Sequence, residues 1–295
     1  MTPMNGLGIG TSKFTYLQDF PNNYSIDLDG ANDFVNLGNS DYIKIRDTVT
    51  SEERGITVSC WSKADWWDGT NSGYPDSSQA LVSCKHVGGW EITQGVRLSA
   101  ALNIVDPDNE EANTYLEIIG PYKSQDAGDQ SHRASGWIHT CFTFDGRTLK
   151  FYVNGREETG RGTEYIDSES DDTPIRYGTG NFDTDVLIGA DPNLLLGGVS
   201  GSATGGANFD GLIDQVAIWS KALDRHAVEQ IYNSLNSDGA VLDLRIDYKR
   251  YDYSDNLVGY WTFEEGTGTT TEDLSDNSNT GTLKNGPAFK ETTPL

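Results

Sequence analysis

Apolar and polar residues alternate one for one along much of the chain. Tyr24–Leu28, Phe34–Leu37, Ile56–Trp61, Ala80–Lys85, Val96–Ile104 and Tyr115–Ile119 follow this pattern. So do Trp137–Phe144, Leu149–Val153, Val186–Ile188, Leu212–Trp219 and Leu257–Phe263. A period of two marks strands with a buried face. Asp29-Gly30, Asp145-Gly146 and Asn154-Gly155 separate several of these runs and supply the positive-φ residues that tight hairpins need. One stretch changes period. Val228, Ile231, Tyr232 and Leu235 follow Asp224 at helical spacing, which predicts a capped amphipathic helix over 225–235. Many short strands, 33 glycines and little helical period predict an all-β, two-sheet antiparallel jelly-roll sandwich with one short helix.

Three stretches resist a strand assignment: a Gly-rich arm at 1–22, an acidic insertion at 156–184 and a Gly/Ser/Ala loop at 190–209. Loops this long tend to be functional or mobile. The arm reads as an anchor for a partner chain through Leu7, Ile9, Phe14 and Tyr16, with packing on its own sandwich as the alternative. Leu194, Leu195 and Leu196, flanked by glycines, serve either as a loop anchor or as a subunit contact.

Charge narrows the partners. Against 21 Lys and Arg stand 45 Asp and Glu, a formal charge of −24, so no net positive field favours a nucleic-acid backbone. No apolar run approaches the roughly 18 residues of a membrane span, so no membrane insertion is expected. The opening residues lack a basic n-region and an apolar h-region, which predicts no secretory signal. Cys60, Cys84 and Cys141 are odd in number and lack CxxC spacing, which favours buried free thiols over a disulfide framework or a zinc site.

Candidate chemistry is sparse. His86, His132, His139 and His226 lack metal-ligand spacing, and His139, on a strand, reads as a hydrogen-bonded core residue. Glu91 is isolated, and the adjacent Glu264 and Glu265 point to opposite strand faces. No catalytic pair emerges. Trp66, Trp67, Asp68, Asn71 and Tyr74 form the richest aromatic and polar loop, a candidate glycan platform in which rings meet the apolar faces of sugars. The plainer alternative places Trp66 in the strand core and Trp67 beneath its loop. Asp273, Ser275, Asp276, Asn277 and Asn279 gather hard oxygens in seven residues, a candidate calcium site; Asx turns explain them equally. Asp27–Asp33 is a weaker second candidate.

Several segments carry a resemblance. Tyr24-Ser-Ile-Asp-Leu-Asp-Gly-Ala-Asn-Asp-Phe-Val-Asn-Leu-Gly38 resembles the opening of laminin G-like, concanavalin A-like jelly rolls. Ile56-Thr-Val-Ser-Cys-Trp61, Trp137-Ile-His-Thr-Cys-Phe-Thr-Phe-Asp-Gly146, Leu149-Lys-Phe-Tyr-Val-Asn-Gly155 and Phe209-Asp-Gly-Leu-Ile-Asp-Gln-Val-Ala-Ile-Trp219 follow in the family's order. The tail, Leu257–Gly266 and Asp273–Leu283, resembles the segment that normally precedes that opening, as though the domain were permuted or a partial module appended. This arrangement is similar to laminin G-like proteins of marine tailed-phage virions. The expected organisation is an arm at 1–22 and a jelly roll at 23–295, whose 236–295 segment stands in for the family's first strand.

The resemblance implies a structural calcium at one end of the sandwich, the role offered to Asp273 and its neighbours. Related hydrolases place a Glu-x-Asp-x-Glu triplet on one strand, and this chain has none. The expected function is therefore a non-enzymatic decoration or adhesion protein on a virion surface, folded in the host cytoplasm. Its expected partners are other virion proteins or copies of itself, with cell-surface or environmental glycans as candidate ligands. The alternatives are an extracellular bacterial carbohydrate-binding or adhesion module, and a glycan-active hydrolase with an unrecognised site.

Overall fold

The computed structural model describes residues 20–45, 55–65, 78–86, 88–95, 98–106, 109–120, 136–159, 175–177, 183–192, 208–237 and 241–294. Strands β1 (Ser25–Asp29) and β2 (Phe34–Asn36) precede a four-residue helix α1 (Asp41–Lys44). Next come β3 (Ile56–Ala64), β4 (Gln79–Ser83), β5 (Trp90–Gln94), β6 (Leu98–Asp106) and β7 (Asn109–Ile119). β8 (Ile138–Phe144), β9 (Leu149–Val153), β10 (Arg156–Glu157), β11 (Leu187–Ile188) and β12 (Asp210–Trp219) lead to helix α2 (Arg225–Ser237). β13 (Leu257–Trp261), β14 (Thr270–Thr271), β15 (Gly281–Lys284) and β16 (Ala288–Lys290) complete the chain.

The strands form two antiparallel sheets. Sheet A runs β10-β9-β8-β3-β12-β1-β16 with β13 also on β12; sheet B runs β14-β15-β2-β11-β4-β5-β6-β7. Alternate residues of each meet in one core, where Ile26, Val58, Phe142 and Ile213 of sheet A join Val35, Val82, Ile92 and Leu102 of sheet B. Trp90 spans the two layers, its ring centroid 5.9 Å from that of Phe142. The expected sandwich is thus present, with α1 added to the single helix the sequence predicted. The tail is divided between both sheets: β13 pairs with β12, β16 with β1, and β14 and β15 extend sheet B beyond β2.

Sheet A departs from alternation because it is covered on both faces. Every residue of β8 is buried. Cys141, Tyr152, Ala217 and Trp219 on its outer side pack with Val228 and Ile231 of α2 and with Leu242, Leu244, Tyr251 and Tyr260. Polar tips within this layer are paired: the Trp219 indole N–H donates to Tyr251 Oη (2.9 Å), and that hydroxyl donates to Leu244 O (2.7 Å). Asp224 caps α2 as predicted, its Oδ1 accepting from the N–H groups of His226 (2.7 Å) and Ala227 (2.9 Å). Asn154 and Gly155 both take positive φ (49° and 73°) to turn β9 into β10, the type I′ geometry that matches strand twist. A Cβ on Gly155 would stand 2.9 Å from Tyr232 Cδ1, so glycine also admits the helix. All three cysteines are buried free thiols, as expected.

His139 is in the core but corrects one expectation. It is 1 % exposed, and neither ring nitrogen has a hydrogen-bond partner. The ring packs instead against aromatics, with centroids 5.2 Å from Trp61 and 6.2 Å from Tyr232. Burial disfavours the imidazolium and holds the pKa down to about 3, against an ordinary 6.5. Because the unfolded chain protonates more readily, this residue's contribution to stability is complete above the unfolded pKa and is lost as pH falls through the interval between the two values. At pH 5 the loss is about 2 kcal/mol. Urea unfolding at pH 7 and pH 5 should show a drop that His139→Phe reduces by that amount; equal drops in both proteins would assign the acid sensitivity elsewhere.

Candidate functional site

Among the predicted site residues, Trp66, Trp67, Asp68, Asn71 and Tyr74 lie outside the described residues, as do Leu7, Ile9, Phe14, Tyr16, Leu194, Leu195 and Leu196. The tail cluster lies within them. Asp273 is buried; its Oδ1 accepts from the backbone N–H groups of Tyr260 and Ser275, both at 2.9 Å. Its Oδ2 accepts from the backbone (2.8 Å) and side-chain (2.9 Å) nitrogens of Asn279. Those donors take up the roughly four lone-pair positions of a carboxylate. Asn277 and Asn279 each donate through Nδ2 to Val258 O at 3.2 Å, and Ser275 Oγ accepts from Asn277 N at 3.3 Å. Asp276 is exposed. A cation needs about six to eight oxygens pointing inward, and here the central carboxylate is committed to backbone donors. The residues do not fit calcium; they tie the β14–β15 connection to β13.

The second calcium candidate behaves similarly, with Asp29 Oδ1 accepting from Ala31 N (2.9 Å) and Asn32 N (3.3 Å). These backbone donors hold the Asp29 carboxyl below its ordinary pKa. Among the described residues no group of three or more His, Cys, Asp or Glu is arranged to hold a metal ion. The space beside His139 beneath α2, lined also by Ser59, Trp61 and Gln215, has about 10 Å³ for water centres, enough for one water and too small for a sugar.

The outer face of sheet B is different. Strand register sets Asn36, Leu187, Ser83, Glu91, Ala101 and Glu117 side by side across β2, β11, β4, β5, β6 and β7. Because Trp90 and Ile92 enter the core, Glu91 between them faces outward, and the row follows it. Tyr115 stands opposite Asn103, two residues from Glu117 and on the same face. Ala101 leaves only a methyl group between the two glutamates.

Lys85, just past β4, organises this face. Its Nζ forms an ion pair with Glu91 Oε1, donates to Tyr115 Oη at 3.3 Å and lies 4.8 Å from the Tyr115 ring centroid. Glu91 is 7 % exposed, whereas Tyr115 keeps 40 % of its surface. Burial raises the Glu91 pKa, Lys85 opposes the shift, and Asp191 and Glu117 add to it. Burial alone would discharge Lys85, but Glu91 and Tyr115 outweigh it and the ammonium is held above its ordinary pKa. Burial also raises the Tyr115 phenol. The result is an accessible aromatic ring, fixed by a cation and flanked by carboxylates. It offers an apolar platform with hydrogen-bond acceptors at its edge.

The sequence left this cluster unread. Glu91 looked isolated because its partners come from separate strands, and Tyr115 registered only as one alternating residue. The available signal was Tyr115-x-Glu117, two polar-tipped residues on the outward phase of one strand.

Comparison with known proteins now places the fold. Residues 37–229 match the laminin G-like family described as the concanavalin A-like lectin/glucanases superfamily. The chain belongs to this superfamily. Among solved members of similar fold is a carbohydrate-binding protein from Bacteroides ovatus, so described provisionally, at 15 % identity and a TM-score of 0.52. The match covers 92 % of this chain and 60 % of that one, so this lectin-like chain spans well under two thirds of its neighbour's length. The heptameric SAP-like pentraxin of Limulus polyphemus aligns at 16 % identity and TM-score 0.41, over 75 % of this chain and 86 % of that one. The CBM40 of a Ruminococcus gnavus sialidase, bound to α2,3-sialyllactose, aligns at 12 % and 0.43, over 70 % and 96 %. No curated protein matches.

Within this lectin-like fold the role of Asp273 is open to a direct check. Asp273→Asn sets an amide against backbone donors and should cost about 2 kcal/mol in chemical denaturation. The cost should be equal in calcium and in EDTA; a larger one in calcium would make the carboxylate a metal ligand.

Proposed function

We propose that the protein is a non-enzymatic glycan-binding module whose sugar lies on the outer face of sheet B at Tyr115. One observation carries the reading: a Tyr115 ring left 40 % exposed on an otherwise largely buried polar face, with Lys85, Glu91 and Glu117 at its edge. A pyranose presents an apolar C–H face to such a ring and hydroxyls to such acceptors. Superfamily membership supports it, as does the carbohydrate-binding description of the Bacteroides ovatus protein. Binding is favoured over cleavage because Glu91, the most enclosed acid of the face, is engaged by Lys85 rather than free to pass a proton to a leaving group. The setting we propose is adhesion or decoration at a surface, with the virion surface expected from the arm and tail as the first case and a bacterial surface as the second.

A glycan array followed by calorimetry tests the site. Wild type should bind an oligosaccharide and release no reducing sugar from it. Tyr115→Ala should weaken binding at least about tenfold, about 1.4 kcal/mol, with little change in melting because the ring is half exposed. Unchanged affinity in that variant would move the site elsewhere, and no bound glycan at all would end the proposal.

A further inference from the structure

We infer that this face selects neutral or amine-bearing sugars and rejects anionic ones, an inference that rests on the glycan-binding reading above. The formally charged groups around Tyr115 are Lys85 on one side and Glu91, Glu117 and Asp191 on the other. Glu91 and Glu117 share one row across β5, β6 and β7 with only Ala101 between them. Asp191 is buried and close enough to act on Glu91.

A sugar carboxylate or sulfate needs a cation with donors to spare, best of all a bidentate one. Lys85 is already committed, paired to Glu91 and donating to Tyr115. Arg176, whose backbone N–H bonds to Asn103 O (2.9 Å), has interactions of its own. The remaining carboxylates leave the face negative, in a partly dehydrated setting where charges act more strongly than in bulk water. The chain's charge of −24 adds the same sign at longer range. Carboxylates accept hydrogen bonds and cannot donate them when ionised, so they suit hydroxyl and ammonium donors on the ligand.

The probes are gluco- and galacto-oligosaccharides in three forms: neutral, oxidised at C6 to the carboxylate, and bearing an amine at C2. Calorimetry at low salt should show the carboxylate form bound at least about tenfold more weakly than the neutral form, with the amine form equal or tighter. The gap should narrow in high salt, and Glu117→Gln should narrow it at low salt. The salt series on wild type stands even if the variant is unstable. Equal affinity for neutral and carboxylate forms at low salt, with binding still lost in Tyr115→Ala, would overturn the charge rule and leave the glycan site standing. If no probe binds, both readings fall together.

Discussion

The sandwich depends on β12 serving three strands at once. One edge pairs with β3 along nearly its whole length; the other gives Asp210–Ile213 to β1 and Val216–Trp219 to β13. The exchange happens at Asp214 and Gln215, where the register with β3 shifts and Gln215 takes a φ of 49°. A bulge of this kind bends the strand and frees its edge for a new neighbour. Asp214 Oδ1 accepts its neighbour's N–H at 2.7 Å, and the Tyr260 hydroxyl donates to Gln215 Oε1, so β13 is fastened to the irregularity that admits it. Burial keeps the Asp214 carboxyl well above its ordinary pKa, and the group is held neutral there.

That junction decides which face of the molecule is available. With β13 in place, residues 241–263 and α2 close over the outer side of sheet A and build a second core around Trp219, Tyr251 and Tyr260. The second layer is apolar and enclosed, and it leaves room for no more than a water beside His139. Sheet B keeps an outer face of Ser83, Glu91, Thr93, Asn103 and Glu117 with Tyr115 among them. A buried ion pair costs desolvation that its attraction only partly repays. The Lys85–Glu91 pair is therefore better understood as a device that orients Tyr115 than as a source of stability.

Local patterns in the chain were read correctly wherever one element could be judged alone. The alternation over Ile56–Trp61 and Trp137–Phe144 became β3 and β8, Asn154-Gly155 became their family of tight turn, and Asp224 capped its helix. Cross-strand partners were harder. Asp273 and its neighbours offered the oxygens of a cation site, but the donors that consume them come from Tyr260, thirteen positions earlier, as well as from Ser275 and Asn279. The imidazole of His139 was placed inside correctly, yet its neighbours turned out to be the rings of Trp61 and Tyr232 rather than a hydrogen-bond acceptor.

The sequence by itself determined the all-β class, the turns, the capped helix and the superfamily, because these follow from periodicity and residues close along the chain. Only the tertiary structure decided that the tail divides between both sheets, that sheet A is covered twice, and that Glu91, Glu117, Lys85 and Tyr115 share one face. Period two says that a residue faces one side of its strand. It does not say which strand lies alongside or what covers that side, and those two facts turn a row of polar residues into a site.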